Sequence, residues 1–170
     1  PYTVIGPKGQ EMVIEEDQSP RPETTIEKLA SLKPVYGTDA ITAGNAPGLN
    51  AGASAILIMT EEKAEKCGLE ILAYIRDFSC ACAEYENIPT VPALVTNKLL
   101  ERNHMKPENL DLLEINEAFA AMPLVSTKII ANGDEKVQAH LREICNVNGG
   151  AVAIGHPMGA TGLRLIMTLM

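Results

Sequence analysis

Short apolar runs alternate with helical patterns along this chain, and this alternation constrains the possible fold more than any other feature of the sequence. Three of the runs have the length of strands that are buried on both faces, and they lie at 53–60, 70–78 and 110–115. A helical pattern follows each of them. Strands and helices in alternation predict the α/β class, in which helices are layered on a sheet.

Capping residues and prolines mark where the helices begin and end. One helix is predicted to start after Thr60, which precedes an acidic turn, and to stop at Gly68. Further helices are predicted near 25–32, at 92–103, at 117–132 with an interruption at Pro123, at 135–144 and from Gly159 onward. The rest of 1–35 is predicted to be an irregular arm, 39–54 an extended loop and 145–148 a short strand.

Charge and hydropathy exclude two broad classes of function. The formal net charge is −8, which argues against non-specific binding to the phosphate backbone of nucleic acid. No apolar run approaches the roughly 20 residues of a membrane-spanning helix, and the first residues do not resemble a signal peptide. We therefore expect a cytoplasmic protein whose partners are neither nucleic acid nor membrane. The lack of an initiator methionine and the apolar pattern at the last residues predict a piece of a longer chain.

The cysteines predict neither a disulfide framework nor a metal centre. The sequence has four of them, at Cys67, Cys80, Cys82 and Cys145. None has the paired spacing of a zinc site, and Cys80 and Cys82 are too close in sequence for easy mutual bridging. We therefore predict four free thiols in a reducing compartment.

A glycine-rich stretch surrounds His156. Residues 146–165 contain five glycines, and His156 stands between Gly155 and Pro157 with the start of a helix close behind. A strand, a glycine turn and a helix in succession bring backbone N–H groups and the positive end of a helix towards one side chain. Such a place suits a developing oxyanion, and the alternative is a histidine in a surface turn. The glycine intervals match neither a phosphate loop nor a dinucleotide-binding loop.

Asn116 follows the predicted strand 110–115 directly. It therefore lies at the carboxyl end of that strand, the edge at which open α/β sheets place their ligands. Two roles are open for its side chain. One is to cap the helix that follows, as asparagine commonly does. The other is to hold a water molecule or a carbonyl oxygen.

Three blocks of small and polar residues stand at wide intervals along the chain. They are TAGNAPGLNAGASA at 42–55, NEAFA at 116–120 and NVNGGAVAIGHPMGATG at 146–162. In this order and at these intervals they resemble the thiolase family, notably its acetyl-CoA acetyltransferases. The resemblance implies a layered α-β-α-β-α fold with a mixed five-stranded sheet in each of two halves, present here only in part. It makes the chain the tail of a loop region that contacts coenzyme A (CoA), the last part of the amino-terminal half and most of the carboxyl-terminal half, at 1–40, 41–69 and 70–170.

The resemblance implies Claisen chemistry on thioesters of CoA. Thiolases join two acetyl-CoA molecules to acetoacetyl-CoA or run the reverse thiolysis, with one cysteine as the nucleophile and a second as the acid and base. A histidine in G-H-P-x-G and a water held by the asparagine of N-E-A-F stabilise the oxyanions, and His156 and Asn116 match these two positions. Because the thioester is the substrate, no cofactor is implied. The expected partners are acetyl-CoA, acetoacetyl-CoA and, in a homo-oligomer, further copies of the full-length protein.

The resemblance also assigns contacts with CoA. Ala118 and Phe119 would line the channel for the pantetheine arm, and Ala46 belongs to the block beside it. Arg21 best matches the basic residue that touches the adenine, and Lys33 is the second choice. For each of these two cations the alternative is a solvated surface charge.

Three departures from the thiolase pattern limit what the chain is expected to do. Pro47 stands where the family usually has a serine that helps to hold the pantetheine, so weaker CoA binding is predicted. Ala51 replaces the usual aspartate, and none of the four cysteines lies in the context of a catalytic cysteine. We therefore assign no catalytic cysteine and expect this chain alone to be inactive. The alternatives are a longer-chain 3-ketoacyl-CoA thiolase and a noncatalytic thiolase-like protein that binds acyl-CoA.

Overall fold

Helices dominate the regular structure of the chain. The computed structural model describes residues 1–17 and 20–170. The helices found there are α1 (Ile26–Ala30), α2 (Glu61–Lys66), α3 (Val91–Arg102), α4 (Ala121–Ile130), α5 (Glu135–Glu143), α6 (Ala151–Ile154) and α7 (Met158–Leu169). Two strands, β1 (Tyr2–Ile5) and β2 (Glu11–Ile14), form a small sheet, and short 3₁₀ turns lie at Tyr85–Thr90 and Pro107–Asn109. Among the described residues no helix is long and apolar enough to cross a membrane.

An antiparallel hairpin lies near the amino terminus, where the sequence predicts an irregular arm. In it β1 pairs with β2 so that Tyr2 stands opposite Ile14. Between the strands Gly6 donates its N–H to the carbonyl oxygen of Gln10 at 2.8 Å, and Gly9 has a φ of 78°. Two runs rich in β-branched residues around a proline–glycine turn are a hairpin signal, and the prediction of an irregular arm missed it.

Local capping places most helices where the sequence predicts them. The Thr60 hydroxyl accepts a hydrogen bond from the Lys63 N–H at 3.3 Å, and Gly68 follows α2 with a φ of 64°, as predicted. The bounds of α3 and α5 fall within one residue of the predicted ones, and α7 begins at Met158 rather than Gly159. The helix predicted at 117–132 begins only at Ala121, ends at Ile130 and runs through Pro123, so the predicted interruption is wrong. Pro123 stands in the first turn, where its missing N–H costs the helix no hydrogen bond.

The predicted strands at 53–60 and 70–78 are wrong as regular β-structure. Neither segment pairs with another strand within the described residues. Large apolar side chains in both are exposed, including Leu57 at 77% and Leu72 at 68%. An apolar run favours an extended backbone, but a strand also needs a neighbour whose N–H and C=O groups pair with its own. The apolar pattern meets only the first of these conditions.

The predicted strands at 110–115 and 145–148 lie side by side but form only one bridge. Leu113 and Cys145 make an isolated parallel pair. In it Leu113 donates its N–H to the carbonyl oxygen of Ile144 at 3.1 Å, and Asn146 donates to that of Leu113 at 2.9 Å. This bridge brings the segment that precedes Asn116 next to the glycine-rich block.

The hydrophobic core lies between α3, α4 and α5. Its buried members are Ala93, Leu100, Ile130, Ala131, Val137 and Leu141. The buried hydroxyl of Ser126 on α4 is satisfied, since it donates to the carbonyl oxygen of Pro89 at 3.1 Å. This core fixes α4 and α5, and the loops at 116–120 and 146–150 therefore leave it from defined positions.

Candidate active site

His156 lies between the end of α6 and the start of α7. The residue before it, Gly155, is buried and has a φ of 96°, in the left-handed region that favours glycine. His156 is half-buried and forms an isolated parallel bridge with Leu49. The block at 42–55 and the glycine-rich block therefore meet at His156, although Leu49 and His156 are 107 positions apart in sequence.

The hydrogen bonds of the imidazole favour one of its two tautomers. Nδ1 of His156 lies 2.9 Å from Oγ1 of Thr161, and that hydroxyl donates its only proton to the carbonyl oxygen of Pro157 at 3.0 Å. With the hydroxyl proton directed at Pro157, the Thr161 oxygen accepts from an Nδ1–H group. In the neutral imidazole this leaves the lone pair on Nε2, the nitrogen that faces Asn116.

The side chain of Asn116 meets His156 and does not cap a helix. Its Nδ2 lies 3.5 Å from Nε2 of His156, at the outer limit of a hydrogen bond. The N-cap position of α4 is Ala120, so the capping alternative for Asn116 is wrong. Oδ1 of Asn116 is buried and accepts no hydrogen bond within the described residues. A buried acceptor of this kind can bind a donor such as a water molecule.

A carboxylate fixes the loop that carries Asn116. Oε1 of Glu117 accepts from Nδ2 of Asn146 at 3.1 Å, and Oε2 accepts from the backbone N–H of Val152 at 3.0 Å. Asn146 also bonds both backbone groups of Ile115, each at 2.9 Å. A Cβ at Gly150 would come within 2.1 Å of Cδ of Glu117, so any larger residue there displaces the carboxylate. The loop at 116–120 is thus held against the glycine-rich block.

The block at 42–55 is bonded to both of the others. The carbonyl oxygen of Asn45 accepts from the backbone N–H of Ala120 at 2.9 Å. Oδ1 of Asn50 accepts from the backbone N–H of His156 at 3.0 Å. These two bonds join all three blocks of the sequence into one site.

A cleft of about 310 Å³ lies beside this junction. Three of the residues predicted to bind CoA line it, namely Arg21, Ala46 and Pro47, together with Asn50 and Gly155. Because Asn50 bonds the backbone N–H of His156 and Gly155 precedes it, the cleft lies beside the backbone of His156, although His156 itself does not line it. An exposed arginine lines the same cleft as small and apolar residues, an arrangement that suits a long ligand with an anionic end.

The other predicted CoA contacts lie outside this cleft. Lys33 is exposed and does not line it. Ala118 is half-buried and Phe119 is exposed, and both follow Asn116 in the chain without lining the cleft. Their roles in binding stay predictions.

Two family models match this chain. The model described as the N-terminal domain of thiolase covers residues 1–62, and the model described as the C-terminal domain of thiolase covers residues 69–170. The chain belongs to the thiolase family. The division of this thiolase chain at residues 40 and 69 stays a prediction.

Solved structures confirm the thiolase-like α/β fold. The acetyl-CoA acetyltransferase of Bacillus anthracis is similar with a TM-score of 0.82 and 42% identity, over 98% of this chain and 40% of that one. The human mitochondrial 3-ketoacyl-CoA thiolase has a TM-score of 0.79 and 34% identity, over 94% of this chain and 38% of that one. A curated relative, the probable acetyl-CoA acyltransferase of Staphylococcus epidermidis, is 39% identical over 100% of this chain and 41% of its own length. This thiolase chain thus spans about two fifths of the relatives that it matches.

The cysteines of this thiolase chain are free thiols, as predicted. Cys67, Cys80 and Cys82 are exposed, whereas Cys145 is half-buried. Burial, together with the nearby carboxylates of Glu114 and Glu117, raises the pKa of the Cys145 thiol to about 11. Since the thiolate is the nucleophile, Cys145 is poorly suited to catalysis at neutral pH.

Sequence reasoning missed the residues that hold the two predicted catalytic side chains in place. They are Asn50, Glu117, Asn146, Thr161 and Arg164. Each lies within or directly beside one of the three blocks, which was a usable signal. Their partners are up to 106 residues away in sequence, so no local pattern identifies the contacts.

Proposed function

We propose that this chain supplies the oxyanion-stabilising side of a thiolase active site that acts on acetyl-CoA and acetoacetyl-CoA. The reaction is the Claisen condensation of two acetyl-CoA molecules and its reverse thiolysis. The observation that carries the proposal is the pairing of Nε2 of His156 with the side chain of Asn116 at 3.5 Å. The similarity to acetyl-CoA acetyltransferases over the whole chain supports the acetyl substrate.

The state of His156 supports a role as both base and hydrogen-bond donor. With Nδ1–H directed to Thr161, the lone pair on Nε2 can take the proton of a nucleophilic thiol. The imidazolium that results then donates from Nε2 to a thioester oxygen that becomes negative. A charge-assisted bond of this kind is stronger than a neutral one, and a single oxyanion donor is worth about 10² to 10³ in kcat.

Asn116 complements this donor from the neighbouring loop. Its Nδ2 faces the same nitrogen of His156, and its buried Oδ1 has no hydrogen-bond partner within the described residues. A water held at Oδ1 would present a proton to the same oxyanion, the role that the resemblance implies for this asparagine. Two donors held by the protein do not have to reorganise when the charge develops.

The cleft beside the site suits the CoA part of the substrate. Arg21 provides a positive charge for the nucleotide end, and Ala46 and Pro47 provide a narrow wall for the pantetheine arm. Pro47 has neither a hydroxyl nor an N–H, so one hydrogen bond to the arm is missing at this position. That bond is worth about 0.5–1.5 kcal/mol, or roughly a two- to twelve-fold loss of affinity.

The covalent steps of the proposed reaction need two catalytic cysteines, and none of the four cysteines in residues 1–170 is assigned to them. Cys145 has a raised pKa, and the other three cysteines lie outside the contexts in which thiolases carry their catalytic cysteines. The 170 residues alone are therefore expected not to turn over acetoacetyl-CoA. The protein of which they form part is proposed to be a cytoplasmic homo-oligomer that needs no resident cofactor or metal.

A chimera tests this function directly. Residues 1–170 replace the matching segment of the Bacillus anthracis acetyl-CoA acetyltransferase, and thiolysis of acetoacetyl-CoA by the folded chimera is measured. We expect turnover, and we expect His156→Ala to lower kcat by about 10² or more. The matched control is His104→Asn, which replaces an exposed histidine with a φ of 53° by a residue that tolerates it.

Three outcomes distinguish the proposed function from the two alternative functions. Turnover that His156→Ala leaves within a few-fold would overturn the proposal. A folded chimera that binds CoA without turnover would favour a noncatalytic acyl-CoA-binding protein. Faster thiolysis of 3-oxooctanoyl-CoA than of acetoacetyl-CoA would favour a longer-chain thiolase, the reading that similarity to the human 3-ketoacyl-CoA thiolase supports.

A further inference from the structure

One peptide unit next to the imidazole is held at both ends by side chains. The N–H of His156 donates to Oδ1 of Asn50 at 3.0 Å. The carbonyl oxygen of Gly155, in the same peptide unit, accepts from Nη1 of Arg164 at 2.6 Å. These two side chains come from opposite sides of His156 in the sequence, one in the block at 42–55 and the other in α7.

We call these two hydrogen bonds, formed by Asn50 and Arg164, the clamp. Gly155 explains why the clamp matters for the position of the imidazole. Glycine has no Cβ and reaches many backbone conformations, so a peptide unit that follows it can rotate easily. A Cβ at this position would lie 2.8 Å from Cγ of Asn50, so the clamp itself requires glycine here. Rotation of the Gly155–His156 peptide unit changes the direction of the Cα–Cβ bond of His156. Without restraint at both ends, the imidazole would not keep one position relative to Asn116.

The guanidinium of Arg164 bonds the carbonyl oxygen of Gly155 and does not take part in an ion pair among the described residues. It forms no ion pair within 4.0 Å of a carboxylate in the described part of the chain. Its Nη2 is buried without a partner in the same part, and its charge offsets part of the rise that burial causes in the pKa of Glu114. A half-buried arginine whose one hydrogen bond goes to a backbone carbonyl acts on the backbone.

We propose that Asn50 and Arg164 are positioning residues that fix the Gly155–His156 peptide unit and so aim Nε2 of His156 at Asn116. Neither side chain touches the reacting atoms in this assignment. The consequence for catalysis rests on the proposed function, but the positioning itself does not. The proposal also accounts for the unusual burial of a positive charge beside a glycine turn.

Nuclear magnetic resonance of the protein tests the proposal without any turnover. The readouts are the ¹⁵N shifts of the His156 imidazole, which report its tautomer, and the nuclear Overhauser effect between the imidazole and the Asn116 amide. We expect Asn50→Ala and Arg164→Met each to abolish the Overhauser effect and to mix the two tautomers. Asn50→Asp keeps the acceptor for the His156 N–H and is expected to preserve both readouts.

The controls separate positioning from general support of the fold. Arg142→Met removes an exposed arginine from α5 and is expected to change neither readout. Folded variants of Asn50 and Arg164 with unchanged shifts and Overhauser effect would overturn the proposal. Global unfolding of Asn50→Ala or Arg164→Met would also contradict it, because the contact would then support the fold rather than the imidazole.

The same variants in the chimera separate this proposal from the proposed function. Positioning predicts that Arg164→Met, which lies outside the lining of the cleft, lowers kcat at least ten-fold with KM changed less than three-fold. Asn50→Ala should lower kcat by a similar factor, and Asn50→Asp should restore most of kcat. An inactive chimera with the expected magnetic-resonance changes would overturn the proposed thiolase activity and still support the positioning role of Asn50 and Arg164. An active chimera in which the variants of Asn50 and Arg164 leave the resonances unchanged would overturn the positioning role and still support the thiolase activity.

Discussion

The hydroxyl of Thr161 has one proton, and the direction of that proton decides the state of His156. With that proton directed to the carbonyl oxygen of Pro157, the hydroxyl oxygen accepts from the imidazole. Thr161 is 2% exposed, so water does not compete for these bonds. A single buried hydroxyl thus favours the tautomer in which Nε2 carries the lone pair.

Thr161→Val is expected to weaken the preference of His156 for the Nδ1–H tautomer. Valine has nearly the same shape but no acceptor for Nδ1–H, so the Nε2–H tautomer of His156 gains population. The ¹⁵N shifts of the imidazole measure the change, and Thr161→Ser, which keeps the hydroxyl, serves as the control. Imidazole shifts equal to those of the unsubstituted protein would show that Thr161 does not set the tautomer.

Cys145 is expected to react with alkylating reagents in a different pH range from the exposed cysteines. Burial raises its pKa to about 11, and only the thiolate reacts, so its alkylation rate should rise steeply between pH 8 and pH 11. Peptide mass spectrometry after timed exposure to iodoacetamide measures each cysteine separately, with Cys67, Cys80 and Cys82 as internal controls. Labelling of Cys145 as fast as Cys67 at pH 8 would contradict the raised pKa.

The contact between loops depends on the missing side chain of Gly150. Gly150→Ala would place a methyl group on the carboxylate of Glu117 and displace it from Asn146 and Val152. We expect the free energy of unfolding to fall by about 1–3 kcal/mol, the cost of leaving buried donors unpaired. Urea unfolding followed by circular dichroism measures it.

A matched glycine and a second substitution test the cause of that loss. Gly159→Ala, with no atom within 4 Å of its new Cβ, should change stability by less than about 1 kcal/mol. In a Glu117→Ala background Gly150→Ala should cost far less, because the carboxylate is already gone. Equal costs in both backgrounds would mean that the clash with Glu117 is not the reason.

Elements with local causes could be predicted from the sequence, and elements with distant causes could not. Thr60 and Gly68 act within a few residues, and the helix between them lies where they predict it. The runs at 53–60 and 70–78 needed partner strands, which no local pattern reports, and their prediction as strands was wrong. The capping role for Asn116 was wrong for the same reason, since its side chain meets His156, 40 residues away.

The whole molecule joins a packed helical core to segments whose backbone is unpaired. No hydrogen bond between backbone groups involves residues 51–59 or 70–83 within the described part of the chain. By contrast, α3 and α5 lie on a core in which Leu141 is 0% exposed. Local stability therefore differs along the chain by the number of paired backbone groups and buried contacts.

Hydrogen–deuterium exchange is expected to show this difference. Amides at 53–59 and 70–76 should exchange close to their intrinsic rates, because they have no backbone acceptor, whereas the centres of α3 and α5 should be protected. Mass spectrometry of peptides from each segment measures the rates, with α5 as the protected reference. Protection at 53–59 equal to that of α5 would contradict the account.

At the scale of the whole molecule, the site could be predicted because the three blocks resemble one family. His156 and Asn116 were named from the sequence, and the fold brings them together. Arg21, Ala46 and Pro47 were also named, and they share one cleft. Asn50 and Arg164 were not named, because what they do depends on one peptide unit whose orientation only the structure shows.

The most direct measurement is a crystal structure of the chimera with acetyl-CoA bound. The account predicts the thioester oxygen at about 3 Å from Nε2 of His156, with the side chain of Asn116 or a water held by it as the second donor. A thioester bound elsewhere, or His156 and Asn116 turned away from each other around the ligand, would contradict the central claim.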